Sequence, residues 1–270
     1  MNHLSVIQNA TKVETDPYPY LCIEGALPDH IYKELNDTFP EQLITSTNPY
    51  HDGTCYRYKM KECVEIGQPP AIWQDFFAYH TSPEYFRACT ELFASSIVNH
   101  YGEEFYENLK ASKVTTRGID SSGFYVTDCQ FVVHEPIDQT RTSRTPHIDN
   151  PQEIYAGLLY MRQQGDNAPG GNFTIHRTTG EITEVNKSLG RQVDNSLHVP
   201  HCEVPYMANN FCMFLNVKHS VHGVTPRIAP SMRRRSINMI GEFNGTGQMW
   251  AVKEIVNKKR SKIWAKLFGV

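Results

Sequence analysis

Residues 145–150 read Thr145-Pro146-His147-Ile148-Asp149-Asn150. An imidazole and a carboxylate stand two residues apart, and on a β-strand residues i and i+2 point to the same face. Their donor atoms can therefore converge on one ion. A second histidine from another strand would complete a set of two imidazoles and one carboxylate that leaves three positions of an octahedron open. Taken alone the triplet is weak, because a strand-end histidine followed by a turn-capping aspartate reads the same way. Its surroundings decide between the two.

Working outward, Tyr155–Met161 (YAGLLYM) is an apolar run followed by a loop and Gly170-Gly171-Asn172-Phe173. Farther on, Phe211-Cys212-Met213-Phe214-Leu215-Asn216 has the pattern of a buried strand. It leads into Lys218-His219-Ser220-Val221-His222-Gly223-Val224-Thr225-Pro226, and then into Arg233-Arg234-Arg235-Ser236-Ile237-Asn238-Met239-Ile240-Gly241. From about Gly118 to Asn244 the whole texture is of this kind. Candidate strands are Phe124–Val133, Ile154–Met161, Asn172–His176, Phe211–Val217 and Arg235–Phe243, separated by turn-rich Gly165–Gly171, Thr178-Thr179-Gly180 and Ile228–Met232. Many short strands without long intervening helices predict an antiparallel sandwich or barrel rather than a parallel nucleotide-binding sheet.

The ordered series H-x-D, L-x-Y-x, G-G-x-F, H-G-V-x-P and R-x-S-x-N resembles the iron(II)- and 2-oxoglutarate-dependent oxygenases, and is most similar to their prolyl-hydroxylase-like branch. The resemblance covers roughly residues 118–244. The stretch PYPYLCIEGALPDHIYKEL (17–35) is similar, less specifically, to the strand-plus-helix lead-in of that branch. The fold so implied is α+β, mainly β: a double-stranded β-helix, or jelly-roll barrel. Flanking N-terminal helices (1–117) and a basic C-terminal helix (245–270) would complete one oxygenase domain, 1–270.

The same resemblance implies that His147, Asp149 and His222 hold Fe(II). His222 matches the distal histidine because Gly-Val-x-Pro follows it, whereas His219, three residues earlier, would face away. It implies further that a basic residue on the next strand pairs with the far carboxylate of the cosubstrate 2-oxoglutarate. Arg234 shares a strand face with Ser236 and Asn238, while Arg235 shares the other with Ile237 and Met239. Arg234 is favoured over Arg235, with Ser236 beside it, since a planar guanidinium holds a carboxylate through two donors. The implied reaction is hydroxylation of an unactivated C–H bond of a small-molecule or peptide substrate, with succinate and CO2 as co-products. Asp149 argues against halogenation, which in related enzymes goes with a small residue there; desaturation and ring closure use the same ligands. Two departures stand out. The loop between His222 and the arginine strand is a few residues long for the family, and Gln130 to His134 stand where many members carry a tyrosine. Gln130 or His134 is then a candidate to touch the cosubstrate, and Arg141 or Arg144 to meet an anionic substrate group.

Other readings follow from the residues themselves. The chain has 270 residues, a net charge of -3 and 40% hydrophobic residues. This is enough for a real core, with no basic field pointing to nucleic acid. The seven scattered cysteines (Cys22, Cys55, Cys63, Cys89, Cys129, Cys202, Cys212) contain no C-x-x-C pair and suit a reducing compartment. With no signal-peptide pattern and no run near the roughly 18 apolar residues of a membrane span, a cytoplasmic protein is expected. Leu27-Pro28-Asp29 starts a helix carrying Ile31, Leu35 and Phe39, and Ser82-Pro83-Glu84 caps a second that runs to Tyr101-Gly102. Residues 36–58 read as loop, and the segments His51–Arg57 and Asp138–Ser143 as a lid. The tail interleaves Ile255, Ile263, Trp264, Leu267 and Phe268 with five basic residues, a helix packed on the domain or attached to an anionic surface. Rival readings of the centre are a cupin-type metal enzyme that needs no cosubstrate arginine, and a non-catalytic binding protein of the same fold.

Overall fold

The computed structural model describes residues 3–46, 54–66, 69–136 and 144–255. The chain is mixed α+β and mainly β. It begins with β1 (Tyr20–Ile23), α1 (Asp29–Asp37), α2 (Glu41–Thr45), β2 (Cys55–Lys59) and α3 (Met60–Glu65). Four helices follow: α4 (Ala71–His80), α5 (Pro83–Leu92), α6 (Ala94–Tyr101) and α7 (Glu103–Ala111). The rest is β3 (Val114–Thr116), β4 (Tyr125–His134), β5 (Glu153–Tyr160), β6 (Phe173–Thr178), β7 (Glu184–Asn186), β8 (His198–Val204), β9 (Phe211–Leu215), β10 (His222–Val224), β11 (Arg234–Phe243) and β12 (Lys253–Ile255).

A large sheet runs β1-β9-β5-β11-β4-β2, with β3 added to β4, and a small one runs β10-β6-β8. Pairings along the large sheet's path are antiparallel; β3 joins β4 in parallel. The period of two along β4 sorts its side chains. Phe131 lies among Trp73 and Phe77 of α4, with ring centroids 4.7 and 4.6 Å away. Its neighbour Gln130 faces the other way and meets Arg57. Phe131 is fully buried, worth about 1.5–3 kcal/mol over an exposed ring. The helices thus cover one face of the large sheet and leave the other for the small sheet. Phe173 of β6 spans that gap to Phe214 of β9, at 5.8 Å.

All five expected strands form, within a residue or two of their expected ends. Ser82 caps α5, its hydroxyl accepting the Tyr85 N–H at 3.1 Å. The expected single helix to Tyr101 is instead two. At Phe93 the backbone turns to ψ 9°, its N–H reaching both Cys89 and Glu91 carbonyls, and α6 starts afresh with Phe93 and Ile97 still buried. The expected loop 36–58 contains α2 and edge strand β2, whose partner β4 lies some 75 residues away in sequence, as in Tyr56↔Val133. Helix α4 also escaped the sequence reading. It buries Trp73, Phe76, Phe77, Tyr79 and His80, and its exposed face, Ala71, Gln74, Asp75 and Ala78, is half alanine, so the polar half of its period is weakly marked. Of the expected C-terminal helix, Lys253–Ile255 forms β12, paired in parallel with β7; residues 256–270 lie outside the described residues. So do Arg141, Asp138–Ser143 and His51–Gly53 of the expected lid, whose other end, Cys55–Arg57, belongs to β2. Among the described residues no helix is long and apolar enough to cross a membrane.

Candidate metal centre

His147 and His222 are brought together by backbone pairing. Each N–H donates to the other's carbonyl, at 2.9 and 3.0 Å, so the two residues sit directly opposite each other as an isolated antiparallel bridge. Alternation does the rest. Ile148 points the opposite way, fully buried with Val221, Val193, Val185 and Ile182. That apolar anchor fixes His147 and Asp149 on the other face. The His147 Nε2 lies 3.4 Å from one Asp149 carboxylate oxygen, and His222 Nε2 lies 3.4 Å from the other. Among the described residues these three form the one cluster whose donor atoms all lie within 4.8 Å of one another. His219 is not part of it; its ring faces His100 of α6, 5.7 Å away.

The protonation states suit a cation. Nδ1 of His147 lies 2.8 Å from the Thr145 carbonyl, and Nδ1 of His222 lies 2.9 Å from the Ser220 carbonyl. A carbonyl accepts only, so each ring carries its proton on Nδ1 and keeps the Nε2 lone pair for the centre. Burial, helped by Arg144 and His222, pushes the His147 pKa down to about 3, so the ring is neutral. Two neutral imidazoles and one carboxylate are the donor set a divalent transition metal takes. At bond lengths of about 2.1 Å neighbouring ligands of one ion stand about 3 Å apart, close to the spacing found. The residues fit the ion. Phe214 and Phe173 wall the His222 ring at 4.4 and 5.3 Å, excluding water from that side.

The three consecutive arginines part company as the strand alternates. Arg233 pairs with Glu135 and Glu41, at 2.7 and 3.0 Å. Arg235 lies over the Phe39 ring and 2.9 Å from Glu41, on the helix side. Arg234 turns away from the helices and is 3% exposed. It lies over the rings of Tyr160 and Tyr206, at 5.0 and 5.1 Å, and its Nε–H donates to the Gly171 carbonyl at 3.1 Å. No carboxylate pairs with it among the described residues, and its Nη2 and the Tyr160 hydroxyl are buried without a well-formed hydrogen bond. A buried, uncompensated guanidinium is costly unless an anion meets it. Ser236 is buried on the same face, its hydroxyl 3.5 Å from Asn238 Oδ1. The glycine pair explains itself here. Gly170 has φ +84°, and a Cβ on it would fall 1.9 Å from the Pro226 carbonyl oxygen, so only glycine brings this turn close enough to present Gly171 to Arg234.

Of the other candidates, Gln130 has its amide taken up by Arg57 at 3.1 Å and Asp128 at 2.6 Å. His134 pairs across the sheet with Arg234 and has Cys55 Sγ 3.9 Å from its Nε2. Arg144 is at the centre itself, its Nε–H donating to His147 Nε2 at 2.9 Å. Sequence reasoning missed Tyr160. It ends β5 and is the tyrosine of the L-x-Y-x element, where its alternation with Leu158 on the face opposite Tyr155 was the available signal.

No family model matches this chain, and no curated protein does. Among solved structures the chain is similar to a Pseudomonas putida prolyl-4-hydroxylase. Identity is 14%, coverage 85% of this chain and 95% of that one, and the TM-score 0.47. It is similar also to a prolyl 4-hydroxylase from Phytophthora capsici, at 13% identity over 92% of this chain and 66% of that one, TM-score 0.47. A third is a Trichoplax adhaerens prolyl hydroxylase in complex with a hypoxia inducible factor peptide fragment, at 13% identity, 83% of each chain and TM-score 0.42. Likeness at this level is silent on activity, which has to come from the chemistry of the site.

Proposed function

We propose that this chain is an iron(II)- and 2-oxoglutarate-dependent dioxygenase that hydroxylates an unactivated C–H bond of a small-molecule or peptide substrate. In this reading the large and small sheets are the two halves of a jelly roll, and residues 1–270 form one oxygenase domain. The observation that carries it is the pairing of two features: a His147–Asp149–His222 donor set with both Nε2 atoms turned inward, and a buried Arg234, paired with no carboxylate among the described residues, on the same sheet face as Ser236. The cupin-type alternative needs the first feature and leaves the second without a purpose.

His147, Asp149 and His222 would hold the Fe(II), and the neutral imidazoles with one carboxylate leave net positive charge for an anionic cosubstrate. Bound there, iron with 2-oxoglutarate would supply the oxygen-activating chemistry that ordinary side chains lack, yielding succinate and CO2 beside the hydroxylated product. The chain's own share is placement. Arg234 anchors the far carboxylate of 2-oxoglutarate, Ser236 and the Tyr160 hydroxyl donate beside it, and Gly171 keeps the guanidinium aimed. Phe173 and Phe214 keep the His222 flank dry. The test is calorimetric titration of 2-oxoglutarate into zinc-loaded protein. Losing a charge-assisted contact worth about 1.5–3 kcal/mol, Arg234→Ala should bind roughly 10- to 100-fold more weakly. Arg235→Ala, on the helix side, should bind like the parent; the reverse ranking would hand the role to Arg235.

A further inference from the structure

The Nε–H of Arg144 donates to His147 Nε2, the same lone pair that the candidate centre offers a metal. One lone pair serves one partner, so this hydrogen bond and coordination by His147 exclude each other. The guanidinium is not there by default. Its Nη2 donates to the Gly190 carbonyl at 3.1 Å, and Gly190 adopts φ +64°. A Cβ at that position would fall 2.3 Å from Arg144 Nη1 and 3.0 Å from Cζ, so the turn after Leu189 leaves a slot that a side chain would close. The charges around it are mixed. Asp149 and Glu153 attract Arg144, while Arg57 and Arg191 repel it; Arg191 is itself held by Glu254 at 3.0 Å. A dication taking up Asp149 removes the foremost of Arg144's attracting anions and leaves Glu153 against the like-charged Arg57 and Arg191.

Resting on the metal-centre reading above, we propose that Arg144 is a built-in cation that occupies the ligand lone pair in the metal-free protein, and that metal entry turns it off His147 to become a donor for the anionic ligand of the filled site. Two consequences follow from simple competition. The arginine weakens the binding of metal alone, because its charge-assisted hydrogen bond must first be broken. It also strengthens the mutual dependence of metal and anion, since an anion restores the partner that the metal removed.

The test uses cobalt(II), whose visible absorption reports coordination without turnover. The full-length parent, Arg144→Ala and Gly190→Ala are titrated with Co(II), with and without 2-oxoglutarate. Arg144→Ala should bind Co(II) alone about tenfold more tightly than the parent, and 2-oxoglutarate should tighten its Co(II) binding less than it does in the parent. Gly190→Ala keeps the charge and crowds its slot, so it should shift Co(II) affinity in the same direction by a smaller factor. Cobalt binding to the parent with no gain in either variant overturns the proposal and leaves the metal centre standing. No cobalt binding to any of the three overturns both.

Discussion

Histidines 80 and 147 are both held neutral by burial, each pushed down to about 3, and acid acts on them at different sites. In His147 the effect leaves Nε2 an acceptor, which the Arg144 Nε–H meets. In His80 it is purely structural. Its Nε2 accepts the Val6 N–H at 3.4 Å and its Nδ1 meets the Phe76 carbonyl at 2.7 Å, tying the N-terminal segment to α4. Between its ordinary value of 6.5 and about 3 the unfolded chain binds the proton and the folded one does not. Stability therefore falls as pH drops through that window. From His80 alone the loss at pH 5 is about 2 kcal/mol. Urea unfolding at pH 7 and pH 5 should show it in the parent and show it reduced by about that amount in His80→Leu. An unchanged pH dependence in the variant would mean that His80 titrates normally. The same residue scale accounts for what the sequence told of the site. H-x-D was legible because two residues on one strand face are local, whereas H-G-V-x-P pointed to His222 only through the family resemblance. Arg234 was separable from Arg235 by alternation alone. Arg144 was visible only as a charge near the motif, since its slot is made by Gly190, 46 residues away.

Among the elements, α5 is the one whose start the sequence states outright. Ser82 supplies the cap, Pro83 the first-turn φ and Glu84 the early acid, and the Ser82 hydroxyl accepts the Tyr85 N–H. Ser82→Ala should lower stability by about 1 kcal/mol, and Ser82→Thr by clearly less, read as denaturation midpoints. Equal losses would mean that the hydroxyl contributes nothing. The end of α5 was not legible in the same way. The apolar spacing continues through Phe93 into Ile97 without a glycine or proline, and only the packing of both side chains into the core shows where the backbone turns. Strands β4, β5, β9 and β11 were readable because each carries an apolar run bounded by turn residues. Strand β8 was not: four of its seven residues are exposed, and its place is set by pairing with β6 across a bulge between Ile175 and His176.

At the scale of the molecule, the large sheet divides into a helix-covered face that supplies the core and an opposite face that carries buried polar side chains. Trp73, Phe76, Phe77 and Phe131 make one continuous aromatic cluster on the first. Arg234, Ser236, Asp128 and Gln130 lie on the second, all buried, where a solvent-exposed sheet would carry scattered charge. The order of strands in the two sheets was beyond the sequence, because pairing partners such as β1 and β9 lie nearly 200 residues apart, as in Leu21↔Met213. What the sequence did carry was the order of motifs, and the pairing of His147 with His222 brings two of them together. The central claim, that this place binds iron(II) and 2-oxoglutarate together, is tested most directly by anaerobic titration of the metal-free protein with both, watching for the visible metal-to-ligand charge-transfer band. The account predicts a band in the parent, none in His147→Ala and a weakened one in Arg234→Ala. Iron binding without a band would contradict the cosubstrate site, and no iron binding would contradict the centre itself.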